Sequence, residues 1–176
     1  LDWLTPLEKF AQLVDYHKTF QTVAPHVWIR PIMNNFFAGA EVITVFSLQD
    51  ALEEGVILCL SDKEEHAKDC KQFYKFPVYI TSNLYNKHLT ATKAIFPNGT
   101  EADAEKINDL MGYTIFDMLN MSVRGSVALN DQSVKFKYAL QDTPHTFSDT
   151  LITNIATVGP GVNGEPIITF MMPEDQ

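Results

Sequence analysis

The stretch SVKFKYAL, residues 133 to 140, limits the fold more than any other part of the chain. Val134, Phe136, Tyr138 and Leu140 alternate with Lys135 and Lys137, and only an extended strand places residues two apart on one face. Val127 and Leu129 alternate with polar residues in the same way, and Asn130-Asp131-Gln132 supplies the turn between the two runs. LITNIATV (151–158), the loop GPGVNG and PIITFMM (166–172) read as a second hairpin. The C-terminal third is therefore predicted to be an antiparallel β meander.

Upstream the period changes from two to that of a helix. Ile107, Leu110, Met111, Met118 and Leu119 fall at helical spacing, and Thr100 with Asp103 can cap their start, so a long helix is predicted to about residue 121. Thr5-Pro6-Leu7-Glu8 begins an N-terminal helix over about 6–21, with a capping hydroxyl, a proline at the first helical position and a glutamate reaching back. EVITVF (41–46) reads as a strand, and Ser47 to Glu54 as a short helix closed by Gly55. VILCL (56–60) is a strand, Ser61 with Glu64 is a capping box opening a helix over 62–75, and FPVYITS (76–82) is a further strand.

Strands that are apolar throughout and alternate with helices predict a parallel, βαβαβ-like middle covered on both faces. The fold class is thus α/β or α+β: an N-terminal helix, that middle, a long helix and the meander. With 176 residues and 45% hydrophobic content the chain can bury a substantial core. It is read as one domain over 1–176, with an α/β portion (1–121) and an antiparallel β portion (122–176) sharing that core.

Charge limits the partners. A formal net charge of -9 and a pI near 4.9 repel phosphate backbones and anionic lipid. The densest basic stretch (Lys63, Lys68, Lys71, Lys75) is interleaved with Asp62, Glu64, Glu65 and Asp69, as on a solvated helix face. No run of about 18 apolar residues exists, so membrane insertion is not expected. A chain beginning at Leu1 fits either a processed or organellar precursor or an excised fragment.

Cys59, His66 and Cys70 carry residue types for metal binding or thiol chemistry. A strand followed by a helix separates the two thiols by roughly 12 Å along the helix axis, beyond the roughly 7 Å a disulfide allows between Cα atoms. Both are expected to be buried, reduced and free of metal, which fits an intracellular, reducing compartment. His66 and Cys70, four residues apart, share a helix face with Ala67, Phe73 and Tyr74 and are expected to pack.

The remaining motifs read as structure. Gly159 to Gly164 has strands on both sides rather than a following helix, so it is a hairpin loop and not a phosphate cradle. QDTPHTFSD (141–149) holds Asp142, His145, Ser148 and Asp149, the residue types of a hydrolytic triad, yet in sequence it is a turn-rich linker. No cofactor motif and no metal set is found.

HVWIRPIMNNFF (26–37) is the most unusual stretch, with Trp28, Phe36 and Phe37 around Arg30. Aromatic residues with arginine are enriched at interface cores, and these four are the expected contact residues. The ranking that follows puts first a non-catalytic structural or accessory subunit of a larger assembly, acting through other protein subunits. Second is a small enzyme or small-molecule binder with its site at parallel strand ends near Ser61, Asp62, Ser82 and Asn83, Asp62 being its acid or base. Third is an acidic inhibitor or immunity-like module that meets a basic partner.

Overall fold

The computed structural model describes residues 47–96 and 100–176. The expected helix over 6–21, the strand over 41–46 and the contact residues Trp28, Arg30, Phe36 and Phe37 lie outside the described residues.

The first described element, α1 (Leu48–Glu53), is closed at its start by a capping box: Asp50 N donates to Ser47 Oγ at 3.1 Å and Ser47 N donates to Asp50 Oδ2 at 2.8 Å. Gly55, at φ +70°, turns the chain into β1 (Ile57–Cys59). Helix α2 (Glu64–Phe73) follows without the expected Ser61–Glu64 capping box. The Ser61 hydroxyl is taken by the neighbouring strand instead, accepting from Val78 N at 2.9 Å, and Lys63 stands at the cap position with no side-chain bond.

Strand β2 (Val78–Thr81) runs directly into α3 (Ser82–Ile95), a helix the sequence reading did not assign. Its cap is Thr81, whose hydroxyl accepts from Leu84 N at 3.4 Å. The long helix α4 (Glu101–Arg124) starts where predicted, with Thr100 N and Thr100 Oγ1 donating to Asp103 Oδ2 at 3.0 and 2.7 Å. The meander comprises β3 (Val127–Ala128), β4 (Ser133–Thr143), β5 (Thr146–Pro160) and β6 (Pro166–Met171). A 3-10 turn, Pro173–Asp175, follows it.

The six described strands form one mixed sheet in the order β1-β2-β6-β5-β4-β3, so the fold is α+β. The meander pairs antiparallel from β3 to β6, and β6 then lies parallel to β2 through Val78–Ile168 and Ile80–Phe170. The predicted parallel arrangement of 56–60 and 76–82 is corrected: β1 and β2 pair antiparallel, Ile57 opposite Thr81 and Cys59 opposite Tyr79. An unbroken apolar run does not fix direction, nor does it fix burial on both faces, since β2 is buried throughout but β1 is a half-buried edge strand; α2 bridges the two without imposing a parallel crossover.

Val134, Ala156, Phe170 and Ile80 line up across four strands and face the helices, where Leu84, Ile115, Met118 and Leu119 are wholly buried. Phe136 packs edge-on against Phe170, ring centroids 5.8 Å apart, and Tyr74 does the same from the end of α2 at 5.9 Å. Each such ring contributes roughly 1.5–3 kcal/mol by leaving water. Core residues come from both sides of residue 121, so the helical portion and the meander share one hydrophobic cluster.

Candidate functional site

Ser61 and Asp62 do not meet Ser82 and Asn83. Because β1 and β2 run antiparallel, Ser61 sits beside Val78 at the start of β2, whereas Ser82 N donates to Val56 O at 2.9 Å past its other end. Four residues of strand, roughly 13 Å, separate the two pairs, and the crevice of a parallel sheet end is not formed. Each residue has a local task. Ser82 Oγ donates to Gly55 O, and Asn83 Nδ2 donates to Asp175 Oδ1 at 2.9 Å.

Cys59 and Cys70 are both free thiols, but only Cys70 is fully buried; Cys59, on the edge strand β1, is half-buried, which corrects the expectation for that residue. Burial pushes the Cys70 thiol up to about 11 and also raises Cys59, so neither is activated as a thiolate near neutrality. His66 is buried one turn from Cys70, with neither ring nitrogen hydrogen-bonded, and burial lowers its pKa. Among the described residues no group of three or more His, Cys, Asp or Glu side chains is placed to hold a metal ion.

A buried polar triad joins α3 to the meander. Asn154 Nδ2 donates to Tyr138 Oη at 2.6 Å, and Tyr138 Oη is also hydrogen-bonded to His88 Nε2. His88 is fully buried on α3, and burial drives its pKa down to about 3. His88 Nδ1 and Asn154 Oδ1 have no hydrogen-bond partner among the described residues, and all three side chains are buried, so this is an internal polar network rather than a solvent-facing site.

The stretch 141–149, read as a linker, is the end of a long hairpin. β4 and β5 pair from Ser133–Thr157 out to Thr143–Thr146, with two irregularities in register beyond Ala139. Among the described residues β6 accompanies β5 along 155–160 and β3 accompanies β4 at 134–135, and beyond them the hairpin continues as a two-stranded arm for roughly 20 Å. Phe147 and Leu151 lie on this arm with 54% and 56% of their surface exposed. The missed signal was β propensity, since Thr143, Thr146, Phe147, Thr150 and Leu151 are strand formers on both sides of Pro144.

Between α3 and the arm lies a cleft of about 360 Å³. Ala91, Ala94 and Ile95 form its helical wall, and Leu140 and Ile152 its floor. Gln141, Asp142, Ser148 and Thr150 line the arm side. A second hollow of about 530 Å³ continues along α3 past Thr90, Lys87 and Asn83 to Met172, sharing Ala91, Ala94 and Leu140 with the first. Gln141 Oε1 is shielded from water and has no hydrogen-bond donor.

These features define an α+β protein whose most open chemistry is a hairpin arm and the groove beneath it. The chain belongs to the family of unknown function DUF6573, whose family model matches residues 33–176. Neither the curated proteins nor the solved structures gave a match.

Proposed function

We propose that the protein is a non-catalytic subunit that works by binding other proteins, with the β4–β5 arm as its contact element. The observation that carries this reading is the exposure of Phe147 and Leu151 on a two-stranded extension, because an isolated pair of strands is marginal in water and gains from being covered. The titratable groups of the interior support it from the other side, since His66, His88 and Cys70 are all held in their neutral forms by burial.

The aromatic stretch 26–37 carries the same expectation from sequence, with Trp28 and Arg30 as anchors. A reducing intracellular compartment suits both free thiols. The test is native purification of the chain with its partners, followed by mass spectrometry, for the original sequence, for Phe147→Ser/Leu151→Ser and for Trp28→Ala/Arg30→Ala. Loss of partners from the arm variant, with an unchanged circular dichroism spectrum, is the expected result. Full retention of every partner by both variants would overturn the reading.

A further inference from the structure

We propose that the cleft between α3 and the β4–β5 arm receives an arginine or lysine side chain, flanked by apolar residues, from an extended segment of a different protein. This deepens the reading of the arm as a protein contact by naming the chemistry of what it binds.

Three observations carry it. The first is the charge of this end of the molecule. Along the arm, from Tyr138 to Asn154, there is no lysine or arginine, while Asp142 and Asp149 both fall in it. Asp142 lies in the cleft wall and Asp149 on the arm, both exposed, and neither has an ion-pair partner among the described residues. Among the described residues the lining of the cleft contains this one carboxylate and no cation. Lys87, in the adjoining hollow, points its ammonium at Met172 Sδ, 3.6 Å away.

The second is the pairing of surfaces within the cleft. Ala91, Ala94, Leu140 and Ile152 offer an apolar bed long enough for an aliphatic stem, and the polar groups stand at one side of it. A side chain with a methylene stem and a cationic head matches such a bed, since it covers apolar surface while its head seeks acceptors. The third is Gln141. Its Oε1 has no donor where it lies, so turning the terminal amide toward the cleft it lines forfeits no hydrogen bond on that oxygen, and a guanidinium or ammonium group would supply the missing donor.

Charge also decides against a second copy of this chain. A symmetric pairing through the arm would bring the Asp142 and Asp149 carboxylates of both copies into one seam, with no lysine or arginine of the arm to offset them, and the net charge of -9 adds to that repulsion. A different protein with a basic segment meets attraction at the same place. Phe147 and Leu151 then provide apolar contact for the residues on either side of the cation.

The test uses the purified full chain, labelled with nitrogen-15, and a blocked pentapeptide with arginine between two leucines. Two counterparts replace the arginine by norleucine and by glutamate, and free butylguanidinium serves as a fourth probe. The arginine peptide should shift the amides of residues 91–95, 140–142 and 148–152, and should bind at least about tenfold tighter than the norleucine peptide, as hydrogen bonds to a charged group imply. The glutamate peptide should not bind. Raising the salt from about 0.05 M to about 0.5 M should weaken the arginine peptide several-fold. Asp142→Asn, an exposed change that leaves the core untouched, should lower its affinity by a similar factor.

Equal binding of the arginine and norleucine peptides would overturn the cation site. Equal binding of butylguanidinium and the arginine peptide would overturn the assignment to a protein segment. Concentration-dependent dimers in sedimentation, with broadening confined to the arm, would overturn the choice of a different protein. The titration uses the chain alone, so it can fail while the arm variant still releases partners from the native assembly, and the two readings fail separately.

Discussion

His88 and Tyr138, fifty residues apart, share a hydrogen bond between α3 and β4 in a part of the core that excludes water. Proton uptake by His88 would place a charge in a buried site where no carboxylate among the described residues answers it, and burial accordingly drives its pKa from 6.5 down to about 3. The folded state keeps the imidazole neutral while the unfolded chain protonates it near pH 6.5. The stabilisation is therefore fully present above pH 6.5 and lost progressively as pH falls toward 3. Across that window each fall of one pH unit costs about 1.4 kcal/mol. Burial lowers His66 as well, so its contribution has the same sign. Urea unfolding followed by circular dichroism at intervals from pH 7 to 3 should show this loss, with a shallower slope in His88→Leu. Parallel slopes for the two proteins would show that His88 does not titrate on unfolding.

Phe136 and Phe147 lie on the two strands of the same hairpin and should respond in opposite ways. Phe136 is 2% exposed, stacks on Tyr138 and meets Phe170 edge-on, so Phe136→Ala should cost about 3–5 kcal/mol through the cavity it leaves. Phe147→Ser, on the exposed arm, should change stability by no more than about 0.5 kcal/mol. Chemical denaturation of the two variants side by side checks both values.

Asp175 ties the end of the last turn to the start of α3. Its Oδ2 accepts from Thr81 Oγ1 at 2.7 Å and its Oδ1 accepts from Asn83 Nδ2 at 2.9 Å. Burial alone would raise this carboxyl, but the bonds from Thr81 and Asn83 outweigh it and hold its pKa below the usual value. The stabilisation is thus present above the unfolded value of about 3.8 and lost as pH falls below it. Asp175→Ala should cost about 1–2 kcal/mol at neutral pH. Faster hydrogen exchange at Leu84 N and along β6 in the variant would locate the loss at this tie, and unchanged exchange would refute it.

The two thiols should separate in a titration with a disulfide reagent at pH 8. Cys59 is half-buried and should react slowly in the native protein, whereas Cys70, pushed up to about 11, should stay silent until denaturant is added. Cys59→Ser should abolish the native reaction and leave one equivalent on unfolding. A native signal that survives this substitution would place Cys70 within reach of solvent.

How far the fold was legible depended on what each residue shares with its neighbours. The meander could be read because Lys135 and Lys137 stand between Val134, Phe136 and Tyr138, and a solvated face gives a strand its period. VILCL and FPVYITS carry no such mark, since residues apolar on both faces say nothing of direction; the parallel reading failed there, and with it the joint placement of Ser61, Asp62, Ser82 and Asn83. Helix α3 was missed because two of its buried positions are His88 and Thr92, whose polarity hides the helical stripe. The cleft was invisible for a different reason. Gln141, Asp142, Ser148 and Thr150 resemble a turn in composition, and only the pairing of Gln141 with Phe147 across the hairpin turns them into a wall.

The place of β6 in the sheet has a consequence for the birth of the molecule. Pro166–Met171 comes last in chain order among the six described strands and yet lies third in the sheet, with β2 on one side and β5 on the other. While it is still inside the ribosome, the growing chain holds two separate sheet fragments, β1–β2 and β3–β5, each with an open edge facing the gap. Non-local closure of this kind is slow, and open edges are where nascent chains associate wrongly. The sheet can close only after residue 171 has emerged, so its completion is an event that follows translation of this segment and needs protection until then.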